Sequence, residues 1–132
     1  MHVASIAIAP TLDWHKAMRY PILLVEDDPV VASIMTDILE RADYAVDGPH
    51  ATLSDGIEAL AERMPAGAIL DIRLRGGDVG LLADDLELYG IPYLFCSGGF
   101  DHPVVRAHRK APLILKPALE RNLISTLEQM LH

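Results

Sequence analysis

Short runs of aliphatic residues alternate along the chain with longer segments in which apolar residues recur every three or four positions. The short runs are typical of buried strands, and the longer segments are typical of amphipathic helices. The alternation implies a parallel sheet covered by helices on both faces, so the predicted fold class is α/β, a doubly wound five-stranded parallel sheet in a three-layer sandwich. The predicted strands are residues 20–25, 44–48, 66–70, 91–95 and 113–115, and the predicted helices are residues 29–42, 53–63, 79–89 and 119–131.

Two local signals refine this pattern. The first helix has a clear start, because Asp28 is a suitable cap and Pro29 stands at the first helical position. The pattern weakens over residues 100–111, where the apolar spacing is poor and Pro103 permits only a short helix. We expect a mobile element there.

Residues 1–19 stand apart from the domain predicted at residues 20–132. They form an N-terminal extension that is interpreted as a disordered tail, an added edge strand or a dimer contact. A further interpretation is that the protein starts later, since Met18 would itself make a plausible first residue.

Composition and charge narrow the class of protein. The chain has 132 residues, of which 51% are hydrophobic, enough for one domain with a real core. Its 11 Lys and Arg against 19 Asp and Glu give a net charge of −8, which argues against non-specific binding to nucleic acid or an anionic membrane. The single cysteine, Cys96, excludes an internal disulfide and fits a reducing compartment. No apolar run reaches the length of about 18 residues that spans a bilayer, so we expect a cytoplasmic protein.

Polar side chains follow the predicted strands at the points where the strands end. Glu26 and Asp27 follow the first strand, Asp71 the third, Ser97 the fourth and Lys116 the fifth. Because the carboxyl ends of parallel strands form the binding edge of an open sheet, we expect these groups to converge. The alternative is that the acids are ordinary loop residues, but that interpretation does not account for the arrival of lysine at the same edge.

The converging carboxylates predict a cation site and a reaction. Hard oxygen ligands favour Mg²⁺, held by Asp27, Asp71 and the backbone carbonyl of Arg73, with Glu26 acting directly or through water. A carboxylate beside Mg²⁺ and a fixed ammonium can attack a phosphoryl group and form an acyl phosphate. We assign that role to Asp71. Lys116 would stabilise the charge on the phosphoryl oxygens, and Ser97 would donate a hydrogen bond to one of them.

These residues resemble those of the CheY-like receiver domains of two-component response regulators, across residues 20–132. The matching segments are Ile-Leu-Leu-Val-Glu-Asp-Asp at 22–28, Leu-Asp-Ile at 70–72, the hydroxyl of Ser97, and Lys-Pro at 116–117. The resemblance implies a flavodoxin-like sandwich with strand order 2-1-3-4-5. It implies that Asp71 is the phosphoacceptor, Glu26 and Asp27 the acidic pair, Ser97 the switch hydroxyl and Lys116 the phosphate contact. It also implies a cis peptide bond between Lys116 and Pro117.

The segment Phe-Cys-Ser-Gly-Gly-Phe at 95–100 is similar to the Phe-Ala-Thr-Gly-any-Tyr signature, called FATGUY, of an alphaproteobacterial receiver subclass. Leu113 stands where most receivers have an aromatic switch residue, and Arg75 stands where many have proline. In this interpretation Gly98 and Gly99 permit backbone motion after the switch hydroxyl, and Phe100 serves as the moving aromatic.

The resulting functional hypothesis is a single-domain response regulator. It would accept a phosphoryl group from a phosphohistidine of a sensor histidine kinase or histidine phosphotransfer protein, and it would catalyse its own modification rather than act as a conventional enzyme. Arg73 and Gly99 lack groups that orient a hydrolytic water, so we expect slow self-dephosphorylation. The pattern closes with the fifth helix, so we expect no direct DNA binding and no membrane contact, but signalling in trans to an unidentified protein, with a homodimer as one further arrangement.

One alternative function and two further groups of residues bear on this hypothesis. A degenerate receiver would act as a binding or dimerisation module without phosphorylation, an interpretation that Leu113 keeps open. A metal site at Cys96, His102 and His108 has too few ligands at suitable spacing. A basic cluster at residues 106–110 is either an ordinary solvated face or a contact for an acidic partner.

Overall fold

A single parallel sheet forms the centre of the computed structural model, which describes residues 20–99 and 102–131. Its strand order, β2-β1-β3-β4-β5, is the predicted one, and every pair of neighbours is parallel. The predicted extension at residues 1–19 lies outside the described residues. The strands are β1 (Ile22–Val25), β2 (Val46–His50), β3 (Gly67–Asp71), β4 (Tyr93–Ser97) and β5 (Leu113–Leu115).

Helices cover both faces of this sheet. One apolar cluster joins the sheet to α2, α3 and α4, and the other joins it to α1 and α5. The three-layer α/β sandwich is therefore confirmed, including the short helix expected after residue 100. None of the described helices is long and apolar enough to cross a membrane. The helices are α1 (Pro29–Arg41), α2 (Leu53–Glu62), α3 (Gly80–Leu88), α4 (Pro103–Ala107) and α5 (Leu119–Leu131).

The start of α1 follows the sequence signal. Asp28 Oδ1 accepts hydrogen bonds from the backbone N–H groups of Val30 at 2.9 Å and Val31 at 3.3 Å. Pro29 occupies the first turn, where its missing N–H leaves no bond unmade. The cap fixes the direction in which the chain leaves the end of β1.

The edge strand β2 lies two residues beyond its predicted position. Its pairing with β1 shifts register between Leu23 and Val25, so β2 has an extra residue that forms a bulge. Gly48 has φ +127° in this bulge, and a Cβ there would lie 2.6 Å from the Leu24 carbonyl oxygen. Hydropathy marked the apolar residues beside the bulge rather than the strand itself, because an edge strand buries few of its side chains.

The implied cis bond between Lys116 and Pro117 is wrong. Within the described residues, the cis peptide bond is the one between Gly48 and Pro49. Lys116–Ala118 forms a 3-10 turn that leads directly into α5. A proline in the first turn of a helical segment already has the required φ, so a trans bond continues smoothly into the helix.

Candidate functional site

The polar residues predicted at the strand ends lie at one edge of the sheet. Val25 pairs with Leu70, so the acids that follow β1 lie beside Asp71 at the end of β3. Ser97 ends β4 and pairs with Leu115, the residue before Lys116. The sheet order thus brings together four strand ends that are far apart in the sequence.

Three carboxylates form the centre of this edge. Glu26, Asp27 and Asp71 each offer an oxygen atom, and these oxygens all lie within 4.8 Å of one another. Glu26 and Asp71 are both 2% exposed, whereas Asp27 is half-buried. Like charges at this separation and burial destabilise one another unless cations neutralise them.

Lys116 supplies a cation at the same edge, from the end of β5. Its Nζ donates a hydrogen bond to Glu26 Oε2 at 3.2 Å and lies 3.5 Å from Asp71 Oδ1. Burial opposes the charge on this ammonium, but attraction by Asp71 and Glu26 outweighs burial and raises the pKa of Lys116. The lysine is therefore charged at neutral pH and joins two of the carboxylates.

Backbone donors hold the carboxylates in place. The N–H of Arg73 donates to Asp71 Oδ1 at 3.2 Å, and the N–H of Asp28 donates to Glu26 Oε2 at 3.1 Å. Both donors lie two residues after the acid that they contact, so the strand-to-loop turns themselves orient the site.

Glu26 has an unusual environment for a carboxylate. Desolvation raises its pKa to about 7, despite the Asp28 N–H and with a further contribution from Asp71. Its Oε1 atom is buried and has no hydrogen-bond partner among the described residues. An unpartnered buried oxygen beside two further carboxylates fits a divalent cation, which prefers a set of hard oxygen ligands.

Ser97 and the glycines after it form the second part of the site. Ser97 is 3% exposed, and its Oγ accepts a hydrogen bond from the Gly99 N–H at 3.1 Å. A Cβ at Gly98 or Gly99 would meet no atom within 4 Å. Packing in this conformation therefore does not require either glycine. Phe100, the predicted moving aromatic, lies outside the described residues.

Leu113 begins β5 and packs against the cluster that contains α3 and α4. The aromatic residues of this region lie on β4 instead. The ring of Phe95 is 5.5 Å from Tyr93 and 6.0 Å from His108, in edge-to-face geometry in both cases.

Two residues near the site have contacts that the sequence did not indicate. Arg75 Nε lies 3.4 Å from Asp27 Oδ2, although the residue was noted only for standing in place of proline. His108 is buried and contacts Asp84 Oδ1 at 2.8 Å, so it is not part of a solvated basic face. Within residues 20–99 and 102–131, the one group of His, Cys, Asp and Glu able to hold a metal is the carboxylate cluster, so Cys96 and the histidines form no second group.

Comparison with known proteins agrees with this architecture. No family model matches the chain. It is 29% identical over 119 residues to the phyllosphere-induced regulator PhyR of Methylorubrum extorquens, across 86% of this chain and 44% of that protein. The chain thus spans less than half the length of this curated relative.

Solved structures give the same result. The BeF3-activated conformation of SdrG from Pseudomonas melonis Fr1 is 32% identical, with a TM-score of 0.71 over 85% of this chain and 96% of that one. A CheY-like response regulator receiver domain protein from Methanospirillum hungatei JF-1 is 25% identical, with a TM-score of 0.76 over 85% of this chain and 93% of that one.

The fold and the acidic edge define a doubly wound α/β domain of the receiver type. With these relatives, the chain belongs to the family of CheY-like response regulator receiver domains. The family is one of signalling domains rather than of conventional enzymes.

Proposed function

We propose that this chain is a response regulator receiver domain in which Asp71 accepts a phosphoryl group from a phosphohistidine. The donor would be a sensor histidine kinase or a histidine phosphotransfer protein, and the phosphorylated domain would signal to a downstream protein. One observation carries the proposal. Three carboxylates with oxygens within 4.8 Å of one another meet a lysine whose Nζ is 3.2 Å from Glu26 and 3.5 Å from Asp71.

The metal implied by this function is Mg²⁺. Glu26, Asp27 and Asp71 would hold it, together with the backbone carbonyl of Arg73. The unpartnered Oε1 of Glu26 supports this assignment. When bound, Mg²⁺ would neutralise charge on the carboxylates and on the phosphoryl oxygens.

The side chains of the site suit transfer to a carboxylate. An oxygen of Asp71 forms a bond to phosphorus while the bond from phosphorus to the donor imidazole nitrogen breaks, and the imidazole takes up a proton from solvent. Lys116 remains protonated and stabilises the charge on the transferred group. Ser97 Oγ accepts from the Gly99 N–H, which leaves its own proton available for a phosphoryl oxygen.

Loss of the phosphoryl group should be slow. Arg73 stands two residues after Asp71, and Gly99 stands two residues after Ser97. Neither residue provides a side-chain carboxylate or amide that could orient an attacking water. The chain would therefore catalyse its own phosphorylation and lose the modification slowly.

Intact mass spectrometry after incubation with acetyl phosphate tests the proposal. We expect a gain of one phosphoryl group that requires Mg²⁺ and is lost in Asp71→Asn. Asp43→Asn is the matched control, since it makes the same change of charge at an exposed turn residue outside the site. Failure of the wild-type protein to gain a phosphoryl group with Mg²⁺ would favour a degenerate receiver that binds partners without phosphorylation.

A further inference from the structure

Arg75 lies on the side of the acidic cluster that Lys116 does not reach. Lys116 contacts Glu26 and Asp71, whereas the guanidinium of Arg75 is 3.4 Å from Asp27. The two cations differ in burial, because the Lys116 side chain is 24% exposed and that of Arg75 is 71% exposed. The Arg75 side chain can therefore move away from the carboxylates without exposing buried surface, whereas the Lys116 side chain cannot.

The backbone of Arg75 is fixed although its side chain is exposed. Its carbonyl accepts a hydrogen bond from the Leu53 N–H at 3.2 Å, and its backbone forms a parallel bridge with Thr52. Thr52 in turn caps α2, since its Oγ1 accepts from the Asp55 N–H at 3.1 Å. The loop after β3 is therefore attached to the N-terminus of a helix at this residue.

Two glycines with left-handed backbone conformations follow Arg75 in the chain. Gly76 and Gly77 have φ values of +92° and +146°, and a Cβ at Gly77 would lie 2.7 Å from the Leu53 side chain. The chain can make this turn only because both residues lack a side chain. The backbone contacts of Arg75 and the glycine turn together keep its Cα near Asp27. The guanidinium can therefore leave the carboxylate only by rotation about side-chain bonds.

We propose that Arg75 is a built-in counter-ion that competes with Mg²⁺ for Asp27 and thereby sets the affinity of the site for the metal. This inference rests on the proposed function, since it concerns the same metal site. Arginine keeps its charge throughout the physiological pH range, so the guanidinium remains a cationic competitor at every pH in that range. An exposed ion pair is weak, so the guanidinium reduces metal affinity without abolishing binding.

Titration of the protein with MgCl₂ in an isothermal calorimeter tests this role without any phosphodonor. At low salt, Arg75→Gln should bind Mg²⁺ about threefold to tenfold more tightly than wild type. The variant loses the positive charge that lies 3.4 Å from Asp27 Oδ2 and competes for this carboxylate. Arg63→Gln is the control, since it makes the same change of charge at the exposed end of α2, at the other end of the sheet. Its affinity should stay within about twofold of wild type.

A second comparison separates competition at Asp27 from a general effect of charge. In an Asp27→Asn background, the further change Arg75→Gln should alter Mg²⁺ affinity much less than it does in wild type. Arg75→Lys, which keeps the charge but loses the planar guanidinium, should bind Mg²⁺ less tightly than Arg75→Gln.

The possible outcomes distinguish this inference from the proposed function. Wild type and Arg75→Gln binding Mg²⁺ equally well would overturn the role of Arg75 and leave the proposed function intact, as would weaker binding by the variant. Binding by Arg75→Gln with none detected in wild type would support the role of Arg75. Absence of binding in both proteins would overturn the metal site itself and this inference with it.

Discussion

At the level of single residues, Lys116 joins two carboxylates of the site, because its ammonium contacts both Glu26 and Asp71. Its ammonium reaches from the end of β5 to Glu26 and Asp71, which follow or end strands that are not adjacent to β5 in the sheet. The ammonium is held by two acids whose own positions are fixed by backbone N–H groups. This arrangement places a fixed positive charge next to the oxygen atoms of Asp71 before any phosphodonor arrives, which is the property that electrostatic catalysis requires.

Lys116→Met should therefore separate phosphorylation from metal binding. The variant keeps an unbranched apolar side chain but loses the charge, so phosphorylation by acetyl phosphate should slow by about 100-fold. Binding of Mg²⁺ should persist, because its ligands are carboxylates. A mass time course and calorimetry measure the two properties, with exposed Lys110→Met as the control. Equal phosphorylation rates in the two variants would show that the charge of Lys116 is not needed.

The same residues show what the sequence could predict about the site. Glu26, Asp71 and Lys116 were predictable because each stands at a strand end, and parallel strand ends converge. The contact of Arg75 with Asp27 was not, since it depends on a loop that is attached to the start of α2. Local spacing carries no signal for a contact that tertiary packing creates.

At the level of secondary-structure elements, α4 has only five residues and depends on His108 for its attachment. His108 Nδ1 lies 2.8 Å from the Val104 carbonyl oxygen, and Nε2 lies 2.8 Å from Asp84 Oδ1 on α3. Both neighbours are acceptors, and only the protonated imidazole can donate to both. Desolvation opposes protonation, but the hydrogen bonds to Asp84 and Val104 outweigh it and raise the pKa of His108.

This attachment should make stability depend on pH in a defined direction. A folded pKa above the ordinary value of 6.5 means that the contribution of His108 is complete below about pH 6.5 and is lost as pH rises through the folded pKa. Asp84→Asn should remove this contribution, so urea unfolding of wild type and variant should differ more at acidic than at alkaline pH. A difference that is constant with pH would contradict the assignment.

The edge strand β2 shows why element boundaries were harder to predict than the fold itself. The five strands follow from alternation and from burial on both faces, and β1, β3 and β4 are fully buried. Their order was implied by the resemblance to receiver domains rather than by this pattern. In β2 the ladder accommodates an extra residue at Gly48. A glycine followed by proline is usually interpreted as the end of a strand, so the sequence signal stopped where the strand continues.

At the scale of the whole molecule, β4 runs from the acidic edge of the sheet to the apolar cluster that holds α3 and α4. Its last residue, Ser97, lies at the acidic edge, and Phe95 is inside the cluster that holds α3 and α4. The Phe95 ring packs edge-to-face against His108, the residue that attaches α4. The strand is therefore a continuous physical connection between the proposed phosphorylation site and α4, the shortest of the described α-helices.

Phosphorylation should accordingly change the segment from Ser97 to Lys116 more than the rest of the protein. If Ser97 Oγ turns to a phosphoryl oxygen, the Gly99 N–H loses its acceptor, and the glycines after Ser97 leave the backbone free to rearrange. Hydrogen–deuterium exchange should then speed up by about twofold or more in peptides covering residues 98–108, whereas peptides of β1 and β3 stay protected.

The comparison needs wild type with acetyl phosphate and Mg²⁺ beside wild type with Mg²⁺ alone, which controls for effects of the metal. Asp71→Asn in the full mixture controls for effects of the phosphodonor. A uniform change along the chain, or no change in a sample that mass spectrometry shows to be fully phosphorylated, would contradict a connection through β4. A localised change would instead identify α4 and the loop before it as the surface that reports phosphorylation. This follows because α4 is joined to α3 through the side chain of His108, which a small displacement of Phe95 would disturb first.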